Sequence, residues 1–341
     1  MKKYFFILLV SVLVFVPNFL SADQADGFDL ERIFYMSKLR EKEGIESLKK
    51  NADKIDILAP QVYVVSADLS ASGGLSPEVK QIVLENSVKV MPLIANANFN
   101  RVTMHNLLIS DTAKAKVIDF LVKEAVKENY IGWQFDFEHI DYKDRDLFSG
   151  FVEKTAEALH KNNLILSVAV VVRYNDYEDT YFYKNWSGVF DYKRIADAVD
   201  FVSLMTYDDQ DSHGPPASIP FVKKSLDYLK GKIPAEKLSM GIPLYYWGWT
   251  LNPLKKVRSD GSFQRVLNTK AKYFTIEGFD ENLGVPWYVY LYNTTICAVF
   301  YENARSFELK LDIARENNFR GFSAWVLGIE DPGIWNILET H

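Results

Sequence analysis

The sequence predicts an α/β fold, a (β/α)8 TIM barrel with a small α+β insertion between strands 7 and 8. Three observations carry this. Short β-branched or aromatic runs alternate with longer amphipathic stretches rich in Lys, Glu, Ala and Leu, as repeated βα units require. Eight such runs can be counted, more than an open doubly wound sheet usually holds. No GxGxxG follows the first run, so the phosphate-binding turn of a dinucleotide fold is missing.

The elements follow in chain order. Lys2 and Lys3, an almost wholly apolar stretch from Tyr4 to Leu20, and the small pair Ser21-Ala22 read as an export signal over residues 1–22. The mature part, 23–341, is then expected in the secreted or periplasmic/cell-envelope space, with membrane attachment only if the leader stays uncleaved. Losing Lys2 and Lys3, the only charged residues in the leader, takes the net charge from -6 to -8. Candidate strands lie near Arg32–Met36, Ile55–Val65, Val88–Ile94, Ile131–Phe137, Leu164–Val172, Phe201–Thr206, Leu238–Leu244 and Gly321–Val326. Helices such as Thr112–Glu128, Leu147–Lys161 and Ser306–Asn317 repeat apolar residues at three- and four-residue spacing. The interval from Trp249 to Asn303 is too long for one crossover. Its runs KYFTI and WYVYLYNTTICAVFY mark a β-rich insertion over about 250–303.

Composition narrows the function. An acidic chain without a Lys/Arg run does not fit a phosphate-neutralising nucleic-acid binder. The single cysteine, Cys297, sits in the apolar stretch TTICAVF and reads as a buried thiol. Five scattered His residues have no repeated ligand spacing, so a zinc or haem site is not expected. The chain is expected to act as a monomer.

The sharpest feature is GWQFDFE, Gly132–Glu138, on the fourth strand. Alternation puts Gln134, Asp136 and Glu138 on one face and Trp133, Phe135 and Phe137 on the other. The two carboxylates start about 6 to 7 Å apart at the backbone and can converge, and each raises the other's pKa. An isolated DFE triplet reads more simply as strand-end charge or as partners for a buried Arg. Its place at the C-terminal end of a barrel strand, where barrel active sites are built, shifts the reading toward chemistry.

At this point the chain resembles glycoside hydrolase family 18, the chitinase-type barrel family, whose fourth strand carries DxxDxDxE. Asp136 and Glu138 match the last two acids, and Ile131 and Gln134 replace the first two. Three further motifs follow in order: MTYD at Met205–Asp208, GIPLYYWGW at Gly241–Trp249, with Tyr246 where the family usually has Gly, and GFSAWVLGIEDPGIW at Gly321–Trp335. The resemblance implies that Glu138 is the general acid/base, that Asp136 holds the substrate acetamido N–H, and that Tyr207 binds the acetamido carbonyl. It also implies substrate contacts for Gln134, Met205, Asp208, Trp249 and Trp325, the last as floor of the sugar pocket. It looks closest to the bacterial branch associated with cell-wall and spore-cortex sugars. The implied partner is an N-acetylglucosamine-containing polysaccharide, cleaved at β-1,4 bonds with retention, the substrate's own acetamido oxygen serving as nucleophile. The implied reaction needs neither a metal nor an organic cofactor.

Two other readings stay open on sequence grounds: a secreted carbohydrate-binding protein on the same barrel, and a barrel hydrolase for sugars without an acetamido group. Outside the motifs, His139 and His213 read as structural or loop residues. Asp141, Asp144 and Asp146 read as a solvated helix entry, and Glu330 and Asp331 as helix caps. Tyr245, Trp247 and Trp287 join Trp249 as aromatics placed for sugar stacking.

Overall fold

The computed structural model describes residues 29–209, 212–251 and 258–339. The leader reading over 1–22 therefore lies outside the described residues, as does 252–257 of the insertion. Among the described residues no helix is long and apolar enough to cross a membrane.

Eight parallel strands close into a barrel. They are Glu31–Ser37, Ile57–Val65, Leu93–Asn96, Gly132–Phe135, Ile165–Val171, Phe201–Met205, Leu238–Pro243 and Gly321–Trp325. Closure is visible in the first strand, where Ile33 pairs with Ile57 of the second strand and with Ser323 of the eighth. Each expected run yields a strand, usually a residue or two shorter at its ends. The third is interrupted: Lys89–Val90 forms a separate bridge, and Pro92, which lacks an N–H, precedes Leu93–Asn96. A short strand, Ala71–Gly73, pairs antiparallel with the end of the second barrel strand.

The helices form where apolar residues recur every turn, and local chemistry sets their limits. Asp111–Glu128 starts at Ser110, whose side chain accepts from the Ala113 N–H, and stops at left-handed Asn129. Arg145–His160 buries Phe148, Phe151 and Val152 against the barrel. The acids before this helix are not a uniformly solvated entry. Asp144 is buried against His105 (2.9 Å), and Asp141 pairs with Arg101, because the packed turn leaves neither free in water. Asp331 does act as a cap, accepting from the Ala304 and Gly333 N–H groups, both at 2.9 Å. Glu330 instead turns inward to Ser47 and the Gly328 N–H.

A second, antiparallel sheet fills the seventh-to-eighth connection. Its strands run Arg258–Gly261, Tyr246–Thr250, Thr295–Phe300, Val285–Tyr292 and Thr275–Asp280 in spatial order, with the helix Phe263–Lys272 against them. Its small core gathers Tyr246, Val266, Tyr288, Val299 and Tyr301. Cys297 is buried here. Because the sheet leaves the seventh strand at its C-terminal end, it stands at the mouth of the barrel. There Leu244 N–H donates to Trp325 C=O (2.7 Å), and Ile219 N–H donates to Leu283 C=O (2.9 Å).

Candidate active site

The fourth strand follows its alternation past its formal end. Trp133, Phe135 and Phe137 are fully buried against the helical layer. Phe135 stacks on Phe151 at 5.3 Å, and the Trp133 Nε1–H donates to Leu121 C=O at 2.8 Å. This apolar side anchors the strand and turns the polar side inward. Gly132 is required where the fourth strand meets the fifth, since a Cβ there would fall 2.0 Å from the Ile165 carbonyl oxygen.

Gln134 is the lowest of the three inward residues, and the structure corrects its assignment to substrate. It is fully buried and does not line the cleft. Its Nε2 donates to Ser167 Oγ (2.9 Å) and Ser203 Oγ (2.8 Å), and Ser323 continues the chain to Ser203 (3.1 Å) and Ser239 (2.5 Å). A layer of hydroxyls thus fills the barrel interior beneath the acids, with the Tyr35 hydroxyl beside Ser203, Ser323 and Gln134. Gln134→Leu keeps much of the volume but leaves the buried Ser167 hydroxyl without its amide partner and takes one of two partners from Ser203. It is expected to cost about 1 to 3 kcal/mol of stability, read from a lower urea midpoint at unchanged slope.

Asp136 and Glu138 sit above this layer at the cleft floor. The Asp136 N–H donates to Ile94 C=O (3.0 Å), extending the sheet ladder, and Asp136 Oδ2 accepts from Gln61 Nε2 (2.9 Å). Asn96 clamps the Glu138 backbone from both sides, accepting from its N–H (3.1 Å) and donating to its C=O (2.9 Å). Burial raises both carboxyl pKa values, and for Glu138 the nearby charges of Asp136 and Asp208 raise it further. The pair is therefore built to hold a proton toward neutrality.

The remaining motif residues divide. Tyr207 and Met205 line the cleft. Tyr207 fits because Gly241 has no side chain, as a Cβ there would approach its ring to 2.8 Å. Thr206 fixes the same crossing by donating to Gly241 C=O at 2.6 Å. Burial pushes the Tyr207 hydroxyl well above its ordinary pKa, which keeps it a neutral donor. Asp208 also lines the cleft and accepts from Tyr245 Oη at 2.5 Å. Trp325 lines it as well, its ring tilted against Tyr35 at 5.4 Å, and the Trp325-Val326 peptide is cis.

Trp249 is not brought to the cleft. Its Nε1–H is committed to Gly214 C=O (2.8 Å), and its ring packs on His213 and Trp247. Trp247 is buried in the second sheet, Trp287 packs over Gly278 within it, and Tyr245 serves Asp208. None of the three lines the cleft: the second sheet uses the two tryptophans for its own packing, and Tyr245 packs edge-on to Tyr207 behind the cleft wall.

The aromatic wall comes instead from the connection after the fifth strand, where Tyr174, Tyr177, Phe182, Tyr183 and Trp186 line a cleft of about 1020 Å³. Two arginines shape this connection. Arg173 donates to Ser187 C=O (2.7 Å) and Arg145 to Gly188 C=O (2.7 Å). Trp186 stacks on His139 at 4.9 Å, next to Glu138 in the chain.

A closed parallel barrel with paired buried carboxylates at the end of its fourth strand and an aromatic cleft above them has the arrangement that a glycosidase uses. The comparisons with known proteins specify which: the chain belongs to glycosyl hydrolases family 18, whose model matches residues 24–330. An uncharacterized glycosylase of Bacillus subtilis, YvbX, is 25% identical over 312 residues, spanning 86% of each chain. A cortical fragment-lytic enzyme of Bacillus anthracis is 30% identical over 74% of this chain, which covers 59% of that protein's length. Among solved structures, the spore cortex-lytic enzyme SleL of Bacillus megaterium superposes with a TM-score of 0.82 at 26% identity, covering 91% of this chain and 73% of that one.

Proposed function

We propose that this glycosidase cleaves β-1,4 bonds of N-acetylglucosamine-containing glycans, chitin-like or peptidoglycan, by a retaining, substrate-assisted mechanism. The observation that carries this is the buried Asp136/Glu138 pair at the floor of an aromatic cleft, with the neutral hydroxyl of Tyr207 in the same wall. Glu138 protonates the glycosidic oxygen as the C1–O bond breaks. Asp136 accepts from the acetamido N–H and turns the carbonyl oxygen toward C1, where it closes an oxazolinium ring, and Tyr207 donates to that oxygen. Glu138, now a carboxylate, takes a proton from water as it attacks C1 from the face the leaving group vacated. Two displacements at one carbon give net retention. Trp325 supplies an apolar face for the reacting sugar.

The Lys2/Lys3 pair and the apolar stretch to Leu20 support export to the cell envelope as part of this reading. Purified chain is expected to release oligosaccharides from chitin oligomers or peptidoglycan, seen by mass spectrometry, with the β-anomer appearing first by proton NMR. High-mannose glycopeptide in the same assay separates an N-glycan specificity. Binding without any product from about pH 4 to 8, which spans the carboxylate titrations, would assign a lectin instead.

A further inference from the structure

Glu138 is followed by a residue that the reaction leaves unused. His139 does not line the cleft, yet it contacts two aromatic residues that do, Phe99 and Trp186. Its backbone is left-handed, at φ 54°, which ends the alternation of the fourth strand. The ring Nδ1 lies 3.1 Å from the Phe99 carbonyl oxygen, and because a carbonyl only accepts, Nδ1 carries the hydrogen and donates. The ring face stacks on Trp186, with centroids 4.9 Å apart and planes 20° from parallel.

Both partners need such a hold. Asn98 and Phe99 are left-handed in succession, at φ 55° and 48°, a conformation that a bulky side chain rarely adopts. Asn96 and Asn100 tie the ends of this turn: Asn96 Nδ2 donates to Asn100 C=O (3.3 Å), and the Asn100 N–H donates to Ala97 C=O (3.2 Å). His139 holds its middle. Trp186 stands on the short π-helical turn Tyr183–Ser187, whose backbone Arg173 fixes at Ser187 C=O (2.7 Å). That bond does not restrain the indole about its own side-chain torsions. The His139 ring does so by covering one face, and the other face is left for the cleft. Because Asn96 also clamps the Glu138 backbone, acid, turn and wall form one connected unit.

We propose that His139 is a positioning residue: it holds Phe99 and Trp186 as one wall beside the Glu138 carboxyl, and through them sets the affinity for sugar rings beyond the one being cleaved. This rests on the glycosidase reading above. In that reading Trp325 serves the reacting sugar, and a cleft of about 1020 Å³ is larger than one ring requires, so the Phe99/Trp186 wall meets the neighbouring rings. His139 acts through these contacts and not through the proton of Glu138. Its loss therefore falls on KM for long glycans and leaves the pH limbs of kcat in place.

Two substitutions separate the two contacts. His139→Asn accepts left-handed backbone and keeps a donor for Phe99 but has no ring, whereas His139→Phe keeps a ring for Trp186 and has no donor. Hydrogen exchange read by mass spectrometry is expected to rise over 183–187 alone in the first and over 97–100 alone in the second. On N-acetylglucosamine hexamers, His139→Asn should raise KM by about 5- to 10-fold with kcat held within about 2-fold. A nitrophenyl glycoside of the dimer should show a KM rise of no more than about 2-fold, since it offers fewer rings to the wall. In a Trp186→Ala background the same substitution should add no further rise, because its route is gone. Unchanged exchange over both segments, a full additional rise in that background, or a shifted basic limb of kcat overturns the proposal. Exchange and calorimetric affinity for the hexamer need no turnover. They therefore decide the role of His139 even if no glycan is cleaved, an outcome that would overturn the substrate reading instead.

Discussion

Glu138→Gln is expected to lower glycan hydrolysis by about 10³- to 10⁴-fold, measured as reducing ends released. The amide keeps the shape of the side chain but cannot give up a proton to the leaving oxygen or take one from water. Both chemical steps therefore lose their proton carrier. Affinity for uncleaved oligomer should change little, since the cleft walls are untouched, so the loss falls on kcat. A stability measurement separates this from misfolding. Because the folded-state pKa of Glu138 is raised, its contribution to stability is fully present below the ordinary Glu value and is lost as pH rises through the raised one. At pH 8 the wild type carries the full cost of burying a group that is ionised when unfolded, a cost the variant lacks, and the variant's Tm is expected to be higher by about 2 to 5 °C. At pH 4 the advantage disappears. A variant with undiminished hydrolysis would remove Glu138 from the role of acid/base.

The barrel was legible because its signals are local. Each strand run reports its own burial, and the helices carry their period and caps, as Ser110 and Asn129 show around Asp111–Glu128. The fourth strand was readable for the same reason: Trp133, Phe135 and Phe137 specify the face opposite Asp136 and Glu138. Long-range partners left no such trace. Gln61 and Asn96 hold the two acids from the second and third strands. Yet in sequence Gln61 is one polar residue in the apolar run ILAPQVYVV, and Asn96 is the first of three alternating Asn residues, Asn96, Asn98 and Asn100, that read as the start of a loop. The aromatic wall did leave a signal, since six of the fourteen residues 173–186 are aromatic. Without a strand or helix period, that run gave no direction for the rings. The misassigned tryptophans show the converse. Trp247 and Trp249 lie in a motif at a barrel-strand end, but the strand continues into a second sheet that buries one ring and ties down the other.

Asp136→Asn is expected to reduce kcat by about 10²- to 10³-fold, the scale of losing one preorganised hydrogen bond to the reacting group. The reason is geometric as well as electrostatic. Gln61 Nε2 donates to Asp136 Oδ2, so an Asn at this position keeps its carbonyl oxygen toward Gln61 and turns its NH2 toward the cleft. There it meets the acetamido N–H donor to donor, and the carbonyl oxygen that should attack C1 is no longer held in line. The same substitution reports on Glu138. Burial is the larger cause of the raised Glu138 pKa and the Asp136 charge comes next, so removing that charge lowers the pKa part of the way. The general acid then loses its proton at lower pH, and the basic limb of kcat/KM should move in the acid direction while staying above the ordinary Glu range. A substrate whose reacting sugar carries no acetamido group separates the two effects. On it, both proteins lack the internal nucleophile, and the difference in kcat between them should collapse while the shift in the basic limb persists. An Asp136→Asn protein with wild-type kcat on acetamido sugars and an unmoved basic limb would take Asp136 out of the reaction and leave Glu138 to act alone.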